Sequence, residues 1–448
     1  MLTFKGGIHP PERKNLSEDK SLEKLELPDK VIISLSQHIG TPAKPVVEIG
    51  DEVKTGEKIA EAAGKISANI HSSVTGKVVA IGEYPHPSLG KSKAIVIEKT
   101  GKDEWFEYDK HKDYETLKKD KIIEIIREMG IVGLGGATFP TDVKLSPPPW
   151  KDIDYIILNG AECEPYLTCD DRMMLEKAEG IVEGLKIIMK VSDAKKGFIG
   201  IEDNKPEAVK NMTKYCENLD NIEVKRVKTK YPQGAEKQLI KSITDREVPV
   251  GGLPLDVGII VQNVSTAYYI YDAVVNGKPL IERPVTVSGE AMKSTANYIS
   301  RIGDTFENLI NKAGGTKDTV KKIISGGPMM GIALHTIKNL PIQKGVSGIL
   351  AFEEENIDHR KEQPCISCAS CVDICPMGLI PAKLGKYVKN EMYEEAEKLN
   401  ISACMDCGSC AYVCPSKIPL VQYMKIGKNE IRKLNRKKKK EEEENESE

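Results

Sequence analysis

The chain has 448 residues, 29% of them charged, with a formal net charge of −2, so it is long enough for roughly two to four domains and gives no electrostatic reason to expect a nucleic-acid partner. No apolar run is long enough to span a bilayer, and the start Met1-Leu2-Thr3-Phe4-Lys5-Gly6-Gly7 lacks the hydrophobic core of a signal peptide. The chain is therefore expected in the cytoplasm, where eleven cysteines point to metal or redox chemistry rather than disulfides.

In chain order, the first patterned region lies between Val46 and Ile97. Short strand-like runs are expected over 45–47, 58–60, 76–81 and 94–97, separated by Gly50-Asp51, Lys54-Thr55-Gly56 and Ser73-Val74-Thr75-Gly76. This pattern resembles the barrel-sandwich hybrid of lipoyl and biotinyl domains. Lys65 stands at the offset from Gly76 that a modified carrier lysine would take, but Ala63-Gly64 precede it where carriers present an acidic residue, so an unmodified structural sandwich is the reading.

The middle of the chain alternates helix and strand patterns, which predicts an α/β layer architecture. A helix is expected over 114–129, ending at Gly130. Another carries Leu175, Ala178, Val182, Leu185 and Met189 on one face, and a third starts at Asn204-Lys205-Pro206-Glu207. Strands are expected over 154–158, 197–202 and 222–228. Two loops stand out: Gly133-Leu134-Gly135-Gly136-Ala137-Thr138-Phe139-Pro140-Thr141, whose glycines let backbone N–H groups approach a ligand, and Asn159-Gly160-Ala161-Glu162-Cys163-Glu164-Pro165, followed by Asp170-Asp171-Arg172.

These loops, with Lys144, Tyr231-Pro232-Gln233-Gly234-Ala235-Glu236 and Gln262-Asn263-Val264-Ser265-Thr266, occur in the order used by the NADH-oxidising flavoprotein subunit of respiratory complex I, which the segment resembles. The resemblance implies that Gly133, Gly135 and Gly136 line FMN, with Lys144, Asn159, Glu162, Asn263 and Thr266 completing the flavin site. It further implies that Phe139 stacks on the nicotinamide nucleotide and that Glu164 and Glu236 contact it. The family's arginine between the glycines is Leu134 here, its later glycine is Thr138, and its aspartate before the first glutamate is Ala161.

From Pro284 to Met330, the run Val285-Thr286-Val287-Ser288-Gly289, a helix expected over 304–313 and the loop Gly326-Gly327-Pro328-Met329-Met330-Gly331 resemble the ubiquitin-like SLBB domain that follows the flavin domain in complex I.

The last quarter carries eight of the eleven cysteines, as Cys365-x2-Cys368-x2-Cys371-x3-Cys375-Pro376 and Cys404-x2-Cys407-x2-Cys410-x3-Cys414-Pro415. This is the bacterial ferredoxin pattern, in which the fourth cysteine of each run ligates the other cluster. The expected sets are Cys365, Cys368, Cys371 and Cys414 for one [4Fe–4S] cluster and Cys404, Cys407, Cys410 and Cys375 for the second. A zinc ribbon, the alternative, uses two ligand pairs rather than this repeated spacing. Between the runs Ile380, Leu384, Tyr387, Val388, Tyr393, Ala396 and Leu399 recur at helical spacing, so two short helices are expected, resembling the α-helical ferredoxin domain of larger redox enzymes.

The start Phe4-Lys5-Gly6-Gly7-Ile8-His9-Pro10-Pro11 resembles that of the RnfC family, which joins these pieces in this order. The implied architecture is a multidomain α/β chain: an N-terminal segment and barrel-sandwich hybrid in residues 1–110, an FMN- and NAD-binding α/β domain in 111–280, an SLBB β-grasp domain in 281–350, a two-cluster α-helical ferredoxin domain in 351–430, and a disordered charged tail in 431–448. The resemblance implies a peripheral subunit on the cytoplasmic face of the membrane, docked to integral membrane Rnf subunits. It would exchange electrons between NAD(H), FMN and two [4Fe–4S] clusters, with ferredoxin engaged indirectly and Na+ or H+ moved elsewhere in the complex. A microcompartment cobalamin reductase with the same cofactors and a non-catalytic iron–sulfur conduit are the competing readings. Cys163, Cys169 and Cys216 lie outside any ligand spacing and read as packing residues.

Overall fold

The computed structural model of the chain describes residues 1–445. Strands Lys30–Ser34, Gly90–Lys99, Gly76–His86 and Glu52–Val53 form one antiparallel sheet, in that order, and Lys44–Pro45, Lys58–Glu61 and Ile70–His71 form a second. Val31, Ile33, Ile59, Ile70, Val78, Ile95 and Ile97 fill the space between them, the inward half of an alternating pattern. This is the expected sandwich, with a longer central hairpin than the short apolar runs predict. Lys65 is exposed in the bend between Lys58–Glu61 and Ile70–His71.

The central domain is built on a four-stranded parallel sheet in the order Ile222–Val227, Lys196–Glu202, Tyr155–Gly160, Ile259–Asn263. Ile156, Leu158, Ile199, Ile201 and Ile260 face helices Lys119–Glu128, Ala178–Ser192 and Val264–Asn276, while Ile157, Phe198, Ile259 and Val261 face Leu239 and Ile240 of helix Glu236–Thr244. Both faces are covered, as a parallel sheet requires. The helix expected over 114–129 is shorter, Lys119–Glu128, preceded by a single 3-10 turn, Tyr114–Thr116. The face carrying Leu175 to Met189 belongs to two helices, Cys169–Glu176 and Ala178–Ser192, because Lys177 leaves the helical region at φ −130°. From Tyr155–Gly160 the chain winds outward to Ile222–Val227, then returns to the opposite side at Ile259–Asn263. The carboxyl ends of Tyr155–Gly160 and Ile259–Asn263 therefore mark the switch point where such sheets take ligands.

The third unit is a six-stranded mixed sheet, Leu22–Lys24, Ala296–Arg301, Glu282–Ser288, Gly348–Glu353, Val320–Ser325, Ile332–Leu334. Helix Phe306–Lys312 buries Phe306, Leu309 and Ile310 on it. Its edge strand Leu22–Lys24, from the N-terminal segment that precedes the sandwich, pairs in parallel with Ala296–Arg301. Nothing local in the sequence signals a pairing across so many residues.

The last unit is helical: Ser370–Asp373, Pro381–Lys389, Tyr393–Lys398, Ser409–Val413 and the long Leu420–Asn445, packed around Leu384, Val388, Ala396, Ile401, Met424 and Ile431. The two helices expected between the cysteine runs are present. The charged tail, expected to be disordered, continues this last helix as far as Asn445, and residues 446–448 lie outside the described residues. The segment after Gly427 contains neither glycine nor proline and consists mainly of strong helix formers, so it can extend a helix already anchored by Leu420 and Met424. No helix among the described residues is long and apolar enough to cross a membrane.

Candidate functional site

At the switch point, the glycine loop is pinned from behind. The backbone N–H of Leu134 donates to Thr266 Oγ1 at 2.9 Å, Gly133 N–H donates to the Phe139 carbonyl at 2.9 Å, and Leu134 itself is buried. Gly135 and Gly136 are exposed, and a Cβ on Gly136 would meet no protein atom within 4 Å. The loop thus presents bare backbone to an open space, the surface a flat ring or phosphate needs. Phe139, half-buried, closes the same loop.

Thr266 and Asn263, expected at the flavin site, build the loop's support. Thr266 is fully buried, and Asn263 Oδ1 caps helix Val264–Asn276 by accepting from Ser265 N–H at 2.9 Å and Thr266 N–H at 3.2 Å. Asn263 Nδ2 donates to Asp170 Oδ2 at 2.7 Å, and Ser265 Oγ donates to Asp170 Oδ1 at 2.6 Å. Burial, and next the charge of Glu162, push the Asp170 carboxyl up to about 6. Asp170 stands in a sequence motif that by itself gives it no role.

Asn159 ties two signature loops together, donating from Nδ2 to the Gly234 carbonyl at 2.7 Å. Lys144 and Glu236 are also brought together: Lys144 Nζ donates to Glu236 Oε1 at 2.7 Å, both partly exposed.

Glu162 and Glu164 turn away from the glycine loop. Glu162 is buried and accepts Asp170 N–H at 2.7 Å, with Lys14 Nζ 3.8 Å from its other oxygen; burial raises its pKa. Lys14, from the N-terminal segment, also donates to the carbonyls of Glu162, Glu164 and Leu167 at 2.8, 3.2 and 2.6 Å. Glu164 accepts from the backbone N–H groups of Met329 and Met330 at 3.0 and 2.9 Å, in the SLBB loop, and burial lifts it to about 7. In this arrangement Glu162 braces the start of helix Cys169–Glu176 against Lys14, and Glu164 ties its loop to the SLBB loop. No local sequence signal pairs Glu162 with Lys14 or Glu164 with the 329–330 backbone.

The structure brings the fourth cysteine of the first run together with the second run. One cavity is lined by Cys375, Cys404, Cys407 and Cys410, together with Ile374, Met405 and Met424. Cys371 lies within electrostatic range of Cys414 and Cys365, the members expected for the other cluster. The two runs share a backbone: Ser367 and Asp406 have φ 58°, Ala369 and Gly408 have φ 61° and 79°, and a short helix follows each. Burial pushes the Cys404 and Cys410 thiols up to about 12, so iron must displace their protons on binding. Among the described residues no three His, Cys, Asp or Glu side chains converge on one ion, and a cubane needs no such convergence because each thiolate takes its own iron.

The cavity set faces the flavin domain. Tyr231 O–H donates to the Cys407 carbonyl at 2.8 Å, and Gln238 Nε2 reaches the Pro376 carbonyl at 3.3 Å. Cys163 and Met329 pack against Ile8, Tyr231 and Cys407. Cys365 and Cys368, by contrast, are exposed.

Comparison with known proteins agrees domain by domain. Family models match for the RnfC barrel sandwich hybrid domain (residues 2–102), the Nuo51 FMN-binding domain (126–272), the SLBB domain (284–333) and a 4Fe-4S dicluster domain (364–418). A subunit of the proton-translocating ferredoxin:NAD(+) oxidoreductase complex of Clostridium ljungdahlii is 52% identical, over 96% of this chain and 94% of that protein. Its counterpart in the Na(+)-translocating complex of Acetobacterium woodii is 45% identical over 96% and 97%. An NAD+-reducing [NiFe]-hydrogenase in the H2-reduced state shares 18% identity, with a TM-score of 0.49 over 68% of this chain and 61% of that one, too slight a likeness to carry an argument. On identities of this size along nearly the whole length, the chain belongs to the RnfC family of ion-translocating ferredoxin:NAD(+) oxidoreductase complexes.

Proposed function

We propose that this protein is the peripheral subunit of an Rnf complex that exchanges electrons between NAD(H) and two [4Fe–4S] clusters through FMN. When bound, FMN accepts hydride as an electron pair and passes electrons on singly. The observation that carries the reading is the open, backbone-lined face of Gly135 and Gly136 at a sheet switch point, one domain boundary away from a four-cysteine cavity.

In this reading Gly133, Gly135 and Gly136 admit the flavin, and Thr266, Asn263 and Asp170 hold that loop rigid from behind. Lys144 takes a phosphate once released from Glu236, while Phe139 and Glu236 face the nucleotide. The cluster of Cys375, Cys404, Cys407 and Cys410 is the flavin-side one. That of Cys365, Cys368, Cys371 and Cys414 faces outward to a redox partner within the complex, because two of its ligands are exposed. The protein docks on the cytoplasmic face of the membrane, and ions cross through other subunits. One relative is named for protons and the other for Na+, and in this reading the membrane partners set the coupling ion.

Anaerobic reconstitution with iron, sulfide and FMN tests this. NADH should bleach the flavin, reduce both clusters and support dye reduction. Uptake of both clusters without any FMN would sink the proposal and leave an iron–sulfur conduit.

A further inference from the structure

The Gly6-Gly7-Ile8 tract carries part of the family resemblance, but none of the functions above uses it. In the structure it lies between the two redox domains. On one side it extends the edge of the flavin sheet: the Lys228 N–H donates to the Leu2 carbonyl at 2.9 Å, and Ile8 and Tyr231 exchange reciprocal backbone bonds at 2.8 and 2.9 Å. Lys230 Nζ donates to the Phe4 carbonyl at 2.8 Å and sits 4.5 Å above the Phe4 ring. On the other side Gly7 N–H donates to the Ile374 carbonyl at 2.8 Å, next to the cluster ligand Cys375.

The two glycines divide this work. Both are left-handed, at φ +81° and +80°. A Cβ on Gly6 would meet the Ile374 and Cys375 carbonyl oxygens at 2.9 and 3.0 Å, whereas one on Gly7 would meet the Tyr231 carbonyl oxygen at 2.8 Å. One glycine permits close approach to the cluster domain and its neighbour permits close approach to the flavin domain. Ile8 is buried and packs with Tyr231 and Cys407, so its side chain fills the same seam.

We infer that residues 2–9 are a clasp that fixes the gap between the flavin domain and the cluster of Cys375, Cys404, Cys407 and Cys410, with Gly7 and Ile8 as positioning residues for electron transfer. The inference rests on the proposed flow from FMN to that cluster. The electrons balance within the chain: NADH is the reductant, its hydride carries two electrons, and two cubanes accept one each. Transfer between fixed centres falls steeply with separation, so a loosened seam slows this step without touching either cofactor's own ligands.

The test uses the full chain, reconstituted with iron, sulfide and FMN, as Gly7→Ala, Ile8→Ala and Ile8→Val. Rapid mixing with NADH follows flavin bleaching and cluster reduction separately. Iron, FMN content and flavin bleaching should match the wild type in all three. Cluster reduction should slow severalfold in Gly7→Ala and Ile8→Ala and should recover in Ile8→Val. In the cofactor-free protein, hydrogen exchange at the Ile8 and Tyr231 amides should quicken in both slow variants, while strand Lys196–Glu202 stays protected. Wild-type cluster reduction in both, or loss of iron in both, would overturn the clasp. A wild-type chain whose clusters stay oxidised after its flavin is bleached would instead defeat the proposed function, and the clasp would then stand or fall on the exchange data.

Discussion

Lys344 offers the sharpest test of how the domains are joined. Its side chain is fully buried, and Nζ donates to the carbonyls of Asn69 in the sandwich at 3.1 Å and Gly130 in the flavin domain at 2.8 Å. Burial alone lowers its pKa to about 7, from an ordinary 10.5. His38 and His71 nearby are held below their ordinary value, by burial first and by other causes including the Lys344 charge, so they stay neutral at pH 7 and add no like charge beside the lysine. Between about pH 7 and 10.5 the unfolded chain holds the lysine proton and the folded chain does not, so stability rises with pH by about 1.4 kcal/mol per unit. The penalty is full below pH 7, on the order of 5 kcal/mol. Lys344→Met removes that penalty but strips two buried carbonyls of their donor, at roughly 1–3 kcal/mol each. Near pH 7 the variant should therefore unfold within about 2 kcal/mol of the wild type. By pH 9 the wild type should have gained about 2.5 kcal/mol relative to it. Urea unfolding of both proteins between pH 6.5 and 9.5 measures the difference, and parallel pH profiles would refute a buried, deprotonating lysine at this junction.

Cys414→Ser should damage the cluster of Cys365, Cys368 and Cys371 while sparing the other, as read by iron content and low-temperature paramagnetic resonance; loss confined to the Cys404 set would show that each run closes on itself. Gly136→Val should abolish FMN uptake with iron near eight per chain, since its side chain enters the open ligand space at φ +99° and meets no protein atom. The two glutamates expected at the nucleotide should separate. Glu236→Gln should raise KM for NADH severalfold with FMN retained, whereas Glu164→Gln should leave KM unchanged and lower stability by roughly 1–3 kcal/mol, because an amide cannot accept both the Met329 and Met330 N–H groups as the carboxylate does.

What the sequence determined by itself was local. The 2-2-3 cysteine spacing marks two equivalent ligand runs, and an unbroken apolar run such as Ile156-Ile157-Leu158 suits a strand buried on both faces. The glycine loop and the order of the four flavin-domain motifs were equally legible, since each is a short continuous run. Tertiary structure decided the rest. It sent Leu22–Lys24 to the edge of the SLBB sheet, turned Glu162 toward Lys14 and Glu164 toward the SLBB loop, buried Lys344 among three domains, and gathered Cys375 with the second cysteine run. Periodicity reports which side of an element is buried, because that depends on neighbours a few residues away. Which distant backbone satisfies a buried carboxylate or ammonium depends on how domains pack, and no window along the chain contains both partners.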